Sequence, residues 1–417
     1  MFKIFRNPLT LITTLMAAGV LCITMGVRQS MGLYVGPLNT ATGLGIAKIS
    51  LALAIGQFAW GLVQPLAGAL ADKKGPRVVL IGAILLLSLG CAVTPFVESE
   101  AALILSLGLL SAMGSGAASF SVLIGATAQK IPASDRGSAS GFINAGGSLG
   151  QFIFAPLNQK LIELLGWMGS MGSMALISLL AIPMITKLTQ GTQAQGSSSP
   201  SAHSSAAALQ EQSVGAAIKG ALKNKSYQLL HLGFFTCGFH IAFLVTHLPN
   251  EVNLCGLSST VASWSLAIIG LANIVGSILA GGCVNNFKSK YILALMYASR
   301  AVLIAIYLLA PKSAITFYLF AAGLGVTWLA TVPPTASIVA KLFGVRYLGT
   351  LFGLTLLSHQ IGGFLGAYLG GLAYANFGDY QWMWYADMLL AAFAALINLP
   401  IEEASPTATP TPKAQTP

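Results

Sequence analysis

Apolar residues recur along the chain in twelve stretches, and short polar segments separate them. A helix that crosses a bilayer needs roughly 20 apolar residues. The pattern therefore predicts an all-α membrane protein with twelve transmembrane helices. We predict the spans at about 10–37, 46–71, 77–97, 101–127, 138–158, 166–186, 226–249, 260–284, 290–310, 313–340, 348–375 and 382–400.

Composition supports the same interpretation. Only 8% of the 417 residues are charged and the mean hydropathy is +0.78, whereas soluble domains average about 25% charged residues. A lipid bilayer is therefore the expected surrounding of most of the surface. The first span is too long for a cleaved signal peptide and is followed by eleven others, so we expect it to remain in the protein.

Basic residues fall mainly on one side of the predicted membrane. With the N-terminus in the cytoplasm, sixteen basic residues lie inside and only Lys48, Lys160 and Lys312 lie outside. The positive-inside rule then predicts that both termini are cytoplasmic, in a bacterial inner membrane. This distribution explains the net charge of +10 without any nucleic-acid partner.

The chain divides into two halves. Residues 188–225 are expected to form a cytoplasmic linker, which begins with a flexible stretch rich in Ser, Gln, Ala and Gly. It separates a six-helix bundle at 1–187 from a second at 226–400, and 401–417 is expected to be a disordered cytoplasmic tail. Gly26 and Gly150 of the first half match Gly238 and Gly362 of the second at one offset, 212 residues. Such a repeat predicts two pseudo-symmetric bundles in the same orientation.

The loop after span 2 reads GALADKKGPR from Gly68 to Arg77. It resembles the signature loop of the major facilitator superfamily, and a degenerate second copy contains Asn286. The resemblance covers residues 8–400 and implies the facilitator fold, transport by alternating access and a monomer. It also implies four gating residues: Asp72, Gly75, Arg77 and Asn286.

A physical role can be given to two of these gating residues. Gly75 permits a tight turn. Asp72 could meet the positive N-terminal end of span 11 near Gly349 and latch the cytoplasmic side. Alternatively, Asp72 is only a topological charge paired with Arg77.

The candidates for contact with a transported solute inside the spans are Arg28, His240, Arg300 and His359. We expect no Asp or Glu deep in any span and place Asp387 near the outer start of the last one. Fixed positive charge without an acid favours an anionic substrate, because a guanidinium offers a bidentate fork to a carboxylate.

Arg28 is the strongest candidate. The stretch from Gly26 to Pro37 resembles span 1 of monocarboxylate-porter-like facilitators, which carry a basic residue at the matching place. Alternatively, Arg28 caps a helix kink or reaches the membrane surface. His240 is its repeat equivalent, so we expect both to face one cavity, where His240 binds the carboxylate or a proton. The alternative is a neutral histidine bonded to a carbonyl.

For Arg300 and His359, the sequence allows two roles: contact with the substrate or packing between helices. The porters carry an Arg and often an Asp in span 8. This sequence has Ser277 and Asn273 there, which leaves the proton relay of those porters in doubt. Neutral side chains on spans that can reach the cavity complete the predicted site: Tyr34, Gln57, Asn144, Gln151, Trp328 and Gln360.

The sequence thus predicts a secondary transporter of a small organic anion, with a monocarboxylate and proton co-transport expected. An oxalate–formate-type exchanger and an efflux pump for amphipathic compounds are the alternatives within transport. A membrane sensor or enzyme is a third class, for which no nucleophile–base pair or phosphate loop is found. The five cysteines are scattered, so neither a metal site nor a cofactor is expected.

Overall fold

The computed structural model describes residues 7–132, 136–190, 214–284, 286–344 and 348–403. All regular structure in these ranges is helical. The N-terminal half contains α1 (Pro8–Gln29), a 3₁₀ turn (Met31–Tyr34), α2 (Val35–Thr42), α3 (Ile46–Lys74), α4 (Pro76–Val93), a 3₁₀ turn (Thr94–Phe96), α5 (Glu100–Leu103), a π-helical segment (Ile104–Ser111), α6 (Ala112–Ala117), α7 (Phe120–Ala128), α8 (Arg136–Leu179) and α9 (Ala181–Leu188).

The C-terminal half repeats this plan after a short helix. It contains α10 (Val214–Lys223), α11 (Lys225–Leu254), α12 (Ser259–Cys283), α13 (Ser289–Leu309), α14 (Ala314–Thr327), α15 (Val332–Phe343), α16 (Leu348–Phe377) and α17 (Gln381–Asn398). The sequence interpretation did not predict α10, which lies inside the segment assigned to the linker. The tail beyond Glu403 lies outside the described residues, as do linker residues 191–213.

The described helices provide the twelve predicted spans. By length and composition, nine helical stretches in these ranges could cross a membrane. One of them, Ala139–Leu188, holds two spans, because the chain turns at Gly166, where φ is +69°. The less apolar helices α16 and α17 complete the set.

Local sequence explains several helix ends. Asn7 caps α1, since its side-chain oxygen accepts from the backbone N–H of Leu9 at 3.0 Å. Gly75 separates α3 from α4 with φ +85°, a left-handed conformation that favours glycine. The expected tight turn at Gly75 is therefore present.

Glycine contacts reproduce the internal repeat. A Cβ on Gly150 of α8 would overlap the backbone of Cys22 on α1. Its match Gly362 on α16 lies equally close to the backbone of Phe235 on α11. Thus α8 packs on α1 as α16 packs on α11, and small residues permit each close approach. Two clusters of buried apolar side chains, one centred in each half, complete the two bundles.

The two halves touch along two helix pairs, α3 with α16 and α8 with α12. Ser148 Oγ on α8 accepts from Asn273 Nδ2 on α12 at 2.8 Å. Between α1 and α2, Gly32 packs directly on the Val245 carbonyl of α11. The contacts between the halves thus include the middle of the bundle and the end where α2 lies.

Basic side chains mark the other end of the bundle, which we call the basic end. It carries Lys73, Lys74, Lys223, Lys288 and Lys341. The chain after α17 is anchored at this end by Glu403. Its carboxylate accepts from the Lys290 backbone N–H at 2.6 Å and from Lys341 Nζ at 2.7 Å. One side chain therefore joins the start of α13, the end of α15 and the segment after α17.

Candidate functional site

Arg28 lies one residue before the end of α1, where the helix gives way to a 3₁₀ turn. Its Nη2 donates to Gln57 Oε1 on α3. The guanidinium carbon also lies 4.2 Å from the ring centroid of Trp60, one turn further along α3. A cation over an indole face is attracted by the ring's electron density. Gln57 and Trp60 thus orient Arg28 while leaving other guanidinium N–H groups for a ligand.

A pocket opens in front of Arg28 between the two halves. The N-terminal half supplies apolar walls, such as Leu53 and Leu107, and the hydroxyls of Ser111 and Ser115. The C-terminal half supplies Val245 and Thr246 from α11. A pocket walled by both halves changes shape when the halves move relative to each other.

Sequence reasoning identified Arg28 and Gln57 but missed Trp60, which contacts Arg28, and the hydroxyl groups of the pocket lining. Trp60 is 7% exposed and its indole N–H has no partner among the described residues. Its spacing of three residues from Gln57 places both on one face of α3, a signal that could have found it. No comparable signal marks Ser111, Ser115 or Thr246, because serine and threonine are frequent in these spans.

His240 does not join Arg28 through any contact that the structure records. It lies midway along α11 and its Nδ1 is 2.6 Å from Asp387 Oδ2 of α17. The two side chains are 1% and 0% exposed. The expectation that no acidic side chain lies deep in a span is therefore wrong. It failed because burial of Asp387 depends on which helix packs against α17, and the sequence does not show this.

A second buried carboxylate, Glu251, lies beyond the predicted span 226–249. The structure extends α11 to Leu254, so Glu251 lies in the last turn of this helix and is 9% exposed. Its carboxylate accepts from the Tyr307 hydroxyl at 2.6 Å and from Trp384 Nε1 at 3.2 Å. These bonds explain how a carboxylate is tolerated there.

Arg300 is 1% exposed and its hydrogen bonds stay within the C-terminal half. The guanidinium donates to the carbonyls of Thr327 and Trp328, to Thr327 Oγ1 at 3.2 Å and to Cys237 Sγ at 3.4 Å. It thereby satisfies carbonyl groups at the break between α14 and α15. These contacts support the packing alternative for Arg300, and its role in binding stays a prediction.

Tyr34 is fully buried inside the N-terminal half. Its hydroxyl donates to Asn158 Oδ1 and lies 2.7 Å from Ser170 Oγ. Asn158 in turn donates to Ser30 Oγ at 2.5 Å. This network joins the first span to both arms of α8, so the recorded contacts of Tyr34 are structural.

Two predicted glutamines lie where the halves meet. Gln360 of α16 packs against Gly61 of α3, and Gln151 of α8 packs against Gly270 of α12. Both are at most 2% exposed. Their amide groups keep atoms without partners among the described residues: both polar atoms of Gln151 and Oε1 of Gln360. Buried amides are normally hydrogen-bonded, so these two mark polar positions at the interface.

The other predicted binding residues are spread over both halves. Asn144 is half-buried on α8, and Trp328 is buried beside Arg300. His359 is 7% exposed and its ring centroid lies 5.0 Å from that of Phe234. Asn273, at the place where the porters often carry Asp, bridges Ser148 and the backbone N–H of Leu329.

Of the predicted gating residues, Gly75 forms the turn already described, and Arg77 and Asn286 are exposed at the basic end. The structure does not describe the side chain of Asp72. It also does not describe residues 345–347 or the side-chain environment at 348–349, where the latch would form. The latch stays a prediction.

Comparison with known proteins identifies relatives along most of the chain. The chain is 26% identical over 383 residues to Monocarboxylate transporter 13 of Rattus norvegicus, covering 91% of this chain and 86% of the relative. It is 24% identical over 390 residues to the Oxalate:formate antiporter of Oxalobacter formigenes, covering 92% and 88%. A solved D-xylose-proton symporter shares the fold with a TM-score of 0.71 at 16% identity, covering 94% of this chain and 97% of that structure.

The family model described as Major Facilitator Superfamily matches residues 14–367 and 252–417. These matches span most of the chain and include both six-helix bundles. The chain therefore belongs to the Major Facilitator Superfamily, as a transporter and not an enzyme.

Proposed function

We propose that this transporter carries a small organic anion, a monocarboxylate, together with a proton. One observation carries the proposal. Arg28 places a half-buried guanidinium at a pocket between the halves, and none of the carboxylates that the structure describes pairs with it. A charge in this position is costly unless a ligand balances it, and a carboxylate matches the fork of N–H donors.

The side chains that line the Arg28 pocket bear on the chemistry of that anion. Leu53 and Leu107 give it an apolar wall, and Ser111 and Thr246 add hydroxyl groups. This combination suits a carboxylate on a short carbon chain. The names of two relatives, a monocarboxylate transporter and an oxalate:formate antiporter, refer to small anions of this kind.

Movement of the halves around the Arg28 pocket would expose it to each side in turn. The contacts of Gly32 with Val245 and of Glu163 with Thr260 close the end where α2 lies. We assign the basic end to the cytoplasm of a bacterial inner membrane, and a monomer as the working unit. In this assignment these contacts close the outer side, and Asp72 would latch the basic end in the opposite state.

An exchanger is the second candidate function, because the oxalate:formate antiporter is similar along most of the chain. In an exchanger the return step requires a second anion instead of a proton. Efflux of a larger amphipathic compound is favoured less, because the names of the two relatives refer to small anions.

Uptake into proteoliposomes tests these alternatives. Radiolabelled lactate, pyruvate, acetate and oxalate are offered with and without an inward-directed proton gradient, and with or without preloaded anion. Gradient-stimulated uptake of a monocarboxylate supports the proposal. Uptake only into preloaded vesicles supports exchange, and no uptake of any of the four anions contradicts both.

A further inference from the structure

His240 and Asp387 form a buried pair between α11 and α17. The 2.6 Å contact uses one nitrogen of the imidazole and one oxygen of the carboxylate. The second atom of each group, His240 Nε2 and Asp387 Oδ1, is also buried and has no partner among the described residues. The pair therefore keeps one free position on each side at which a proton can bind.

Two buried ionisable side chains are an unfavourable way to hold two helices together. Desolvating two ionisable side chains costs several kcal/mol, and well-packed apolar residues often serve as well. Ionisable groups inside membrane proteins are functional candidates by default. An imidazole can carry a proton on either ring nitrogen, and His240 Nε2 and Asp387 Oδ1 are both without a partner among the described residues, so this pair has a place for one more proton.

The surroundings of the pair set its charge balance. On α11, Cys237 lies one turn before His240; on α13, Tyr297 and Arg300 are the neighbouring titratable groups; on α16 it is His359. Helices α12 and α14 carry no Asp, Glu, Lys, Arg or His.

Arg300 supplies one positive charge to this core and Asp387 one negative charge. With a neutral imidazole they offset each other, and a bound proton leaves an excess of one positive charge. An anion held by Arg28 would balance that excess, so that anion and proton together leave the interior charge unchanged.

One helix connects the two positions. His240 and Thr246, which lines the Arg28 pocket, both lie on α11 and are six residues apart. At about 1.5 Å per residue they are separated by roughly 9 Å along the axis. A change in the tilt of α11 therefore moves both His240 and the Thr246 side of the Arg28 pocket.

We propose that His240 and Asp387 bind the co-transported proton, in the C-terminal half and apart from the anion at Arg28. The proton comes from water on one side, forms an N–H or O–H bond within the pair, and returns to water on the other side. This proposal rests on proton-coupled transport as proposed above, and its first test does not require any substrate.

Trp328 provides a direct readout, because its ring centroid lies 6.0 Å from that of His240. A protonated imidazole quenches a neighbouring indole. We would titrate the tryptophan fluorescence of the full chain in lipid nanodiscs from about pH 5 to about pH 9. A transition in the wild type should be lost in His240→Gln and in Trp328→Phe, and displaced in Asp387→Asn.

His231→Gln is the matched control, since His231 lies on the same helix and contacts Ser358 at 2.6 Å. It should keep the transition. A flat wild-type curve, or an unchanged transition in His240→Gln, overturns the proposal. Monodisperse elution of each variant in size-exclusion chromatography shows that it is folded, and Asp387→Asn preserves shape if His240→Gln does not fold.

Lactate transport in proteoliposomes tests the role of the pair in the cycle. Asp387→Asn should reduce gradient-driven uptake at least about tenfold, a change of about 1.4 kcal/mol in the barrier, and should leave lactate–lactate exchange near the wild-type rate. Equal loss of both activities, or retention of gradient-driven uptake, contradicts the proposal. If the wild type carries none of the anions, the proposed function fails while the fluorescence result still decides whether the pair binds a proton.

Discussion

Gly32 of one half packs so closely against the Val245 carbonyl of the other that a single methyl group would overlap the oxygen. This contact lies beside the Arg28 pocket and toward the end of the bundle where α2 lies. Both sides of the contact are backbone, so neither can move aside as a flexible side chain would. Closure at this end therefore depends on the absence of a side chain at residue 32.

Gly32→Ala should favour the arrangement in which this end is open. Overpacking costs about 1–3 kcal/mol, which corresponds to a population shift of about five- to 150-fold. The shift can be measured by adding Gln159→Cys, because Gln159 is 8% exposed in the groove beside Gly32. Its labelling by a membrane-impermeant maleimide should accelerate relative to the same protein without Gly32→Ala.

Gly36→Ala is the matched control for this prediction. Gly36 lines the same groove, and a Cβ there would meet no atom within 4 Å. In Gly36→Ala, Gln159→Cys should be labelled at the same rate as in the protein that carries Gln159→Cys alone. Equal rates for Gly32→Ala and Gly36→Ala would show that the close contact does not limit closure.

Arg28→Ala should reduce anion uptake at least about tenfold, because hydrogen bonds to a charged group contribute about 1.5–3 kcal/mol. Arg28→Lys should recover part of the activity, since it keeps the charge and loses the bidentate fork. Initial rates of uptake into proteoliposomes check both variants, and Lys187→Ala, an exposed change at the end of α9, is the control. Uptake by Arg28→Ala at the control rate would remove Arg28 from the binding site.

Arg300→Ala should lower the thermal stability of the protein without a selective effect on substrate affinity. The change leaves the buried carbonyls of Thr327 and Trp328 without their donor, at a cost of about 1–3 kcal/mol each. The midpoint temperature of unfolding can be measured by size-exclusion chromatography after heating, with Lys187→Ala as the control. An unchanged midpoint together with a raised KM would instead indicate that Arg300 binds substrate.

Asp72→Asn should slow the transport cycle more than it raises KM. A neutral amide interacts less with the positive end of a helix than a carboxylate does, by about 0.3–1 kcal/mol. The maximal rate of uptake should therefore fall about two- to fivefold. Lys73→Gln is a neighbouring control at the same turn, and an Asp72→Asn rate equal to that of the control would contradict the latch.

Much of this architecture follows from sequence because lipid imposes a simple rule on chain composition. Twelve apolar stretches predict the helices, and matched glycines such as Gly150 and Gly362 predict the repeat. Glycine is informative here because its contacts are made by backbone, which is the same in both halves. The short helix α10 was not predicted, since its polar context is typical of a linker.

The candidate site was only partly predictable for a physical reason. Arg28 stands out because a charge in an apolar stretch is rare. The pairing of His240 with Asp387 joins positions 147 residues apart, and no periodicity or motif relates them. The sequence predicts Asp387 near a membrane surface, because it lies close to the start of the last span. Its burial depends instead on the packing of α17 on α11.

Glu403 has a practical consequence for handling the protein. Because its carboxylate is shared by Lys290 and Lys341, and the Glu402 N–H donates to Ser226 Oγ at 3.0 Å, the chain after α17 acts as a strap across the helix ends. Fusion partners or shortened versions should therefore leave residues up to Glu403 intact. A cut two residues earlier would free three helices from a common anchor and give a looser C-terminal half.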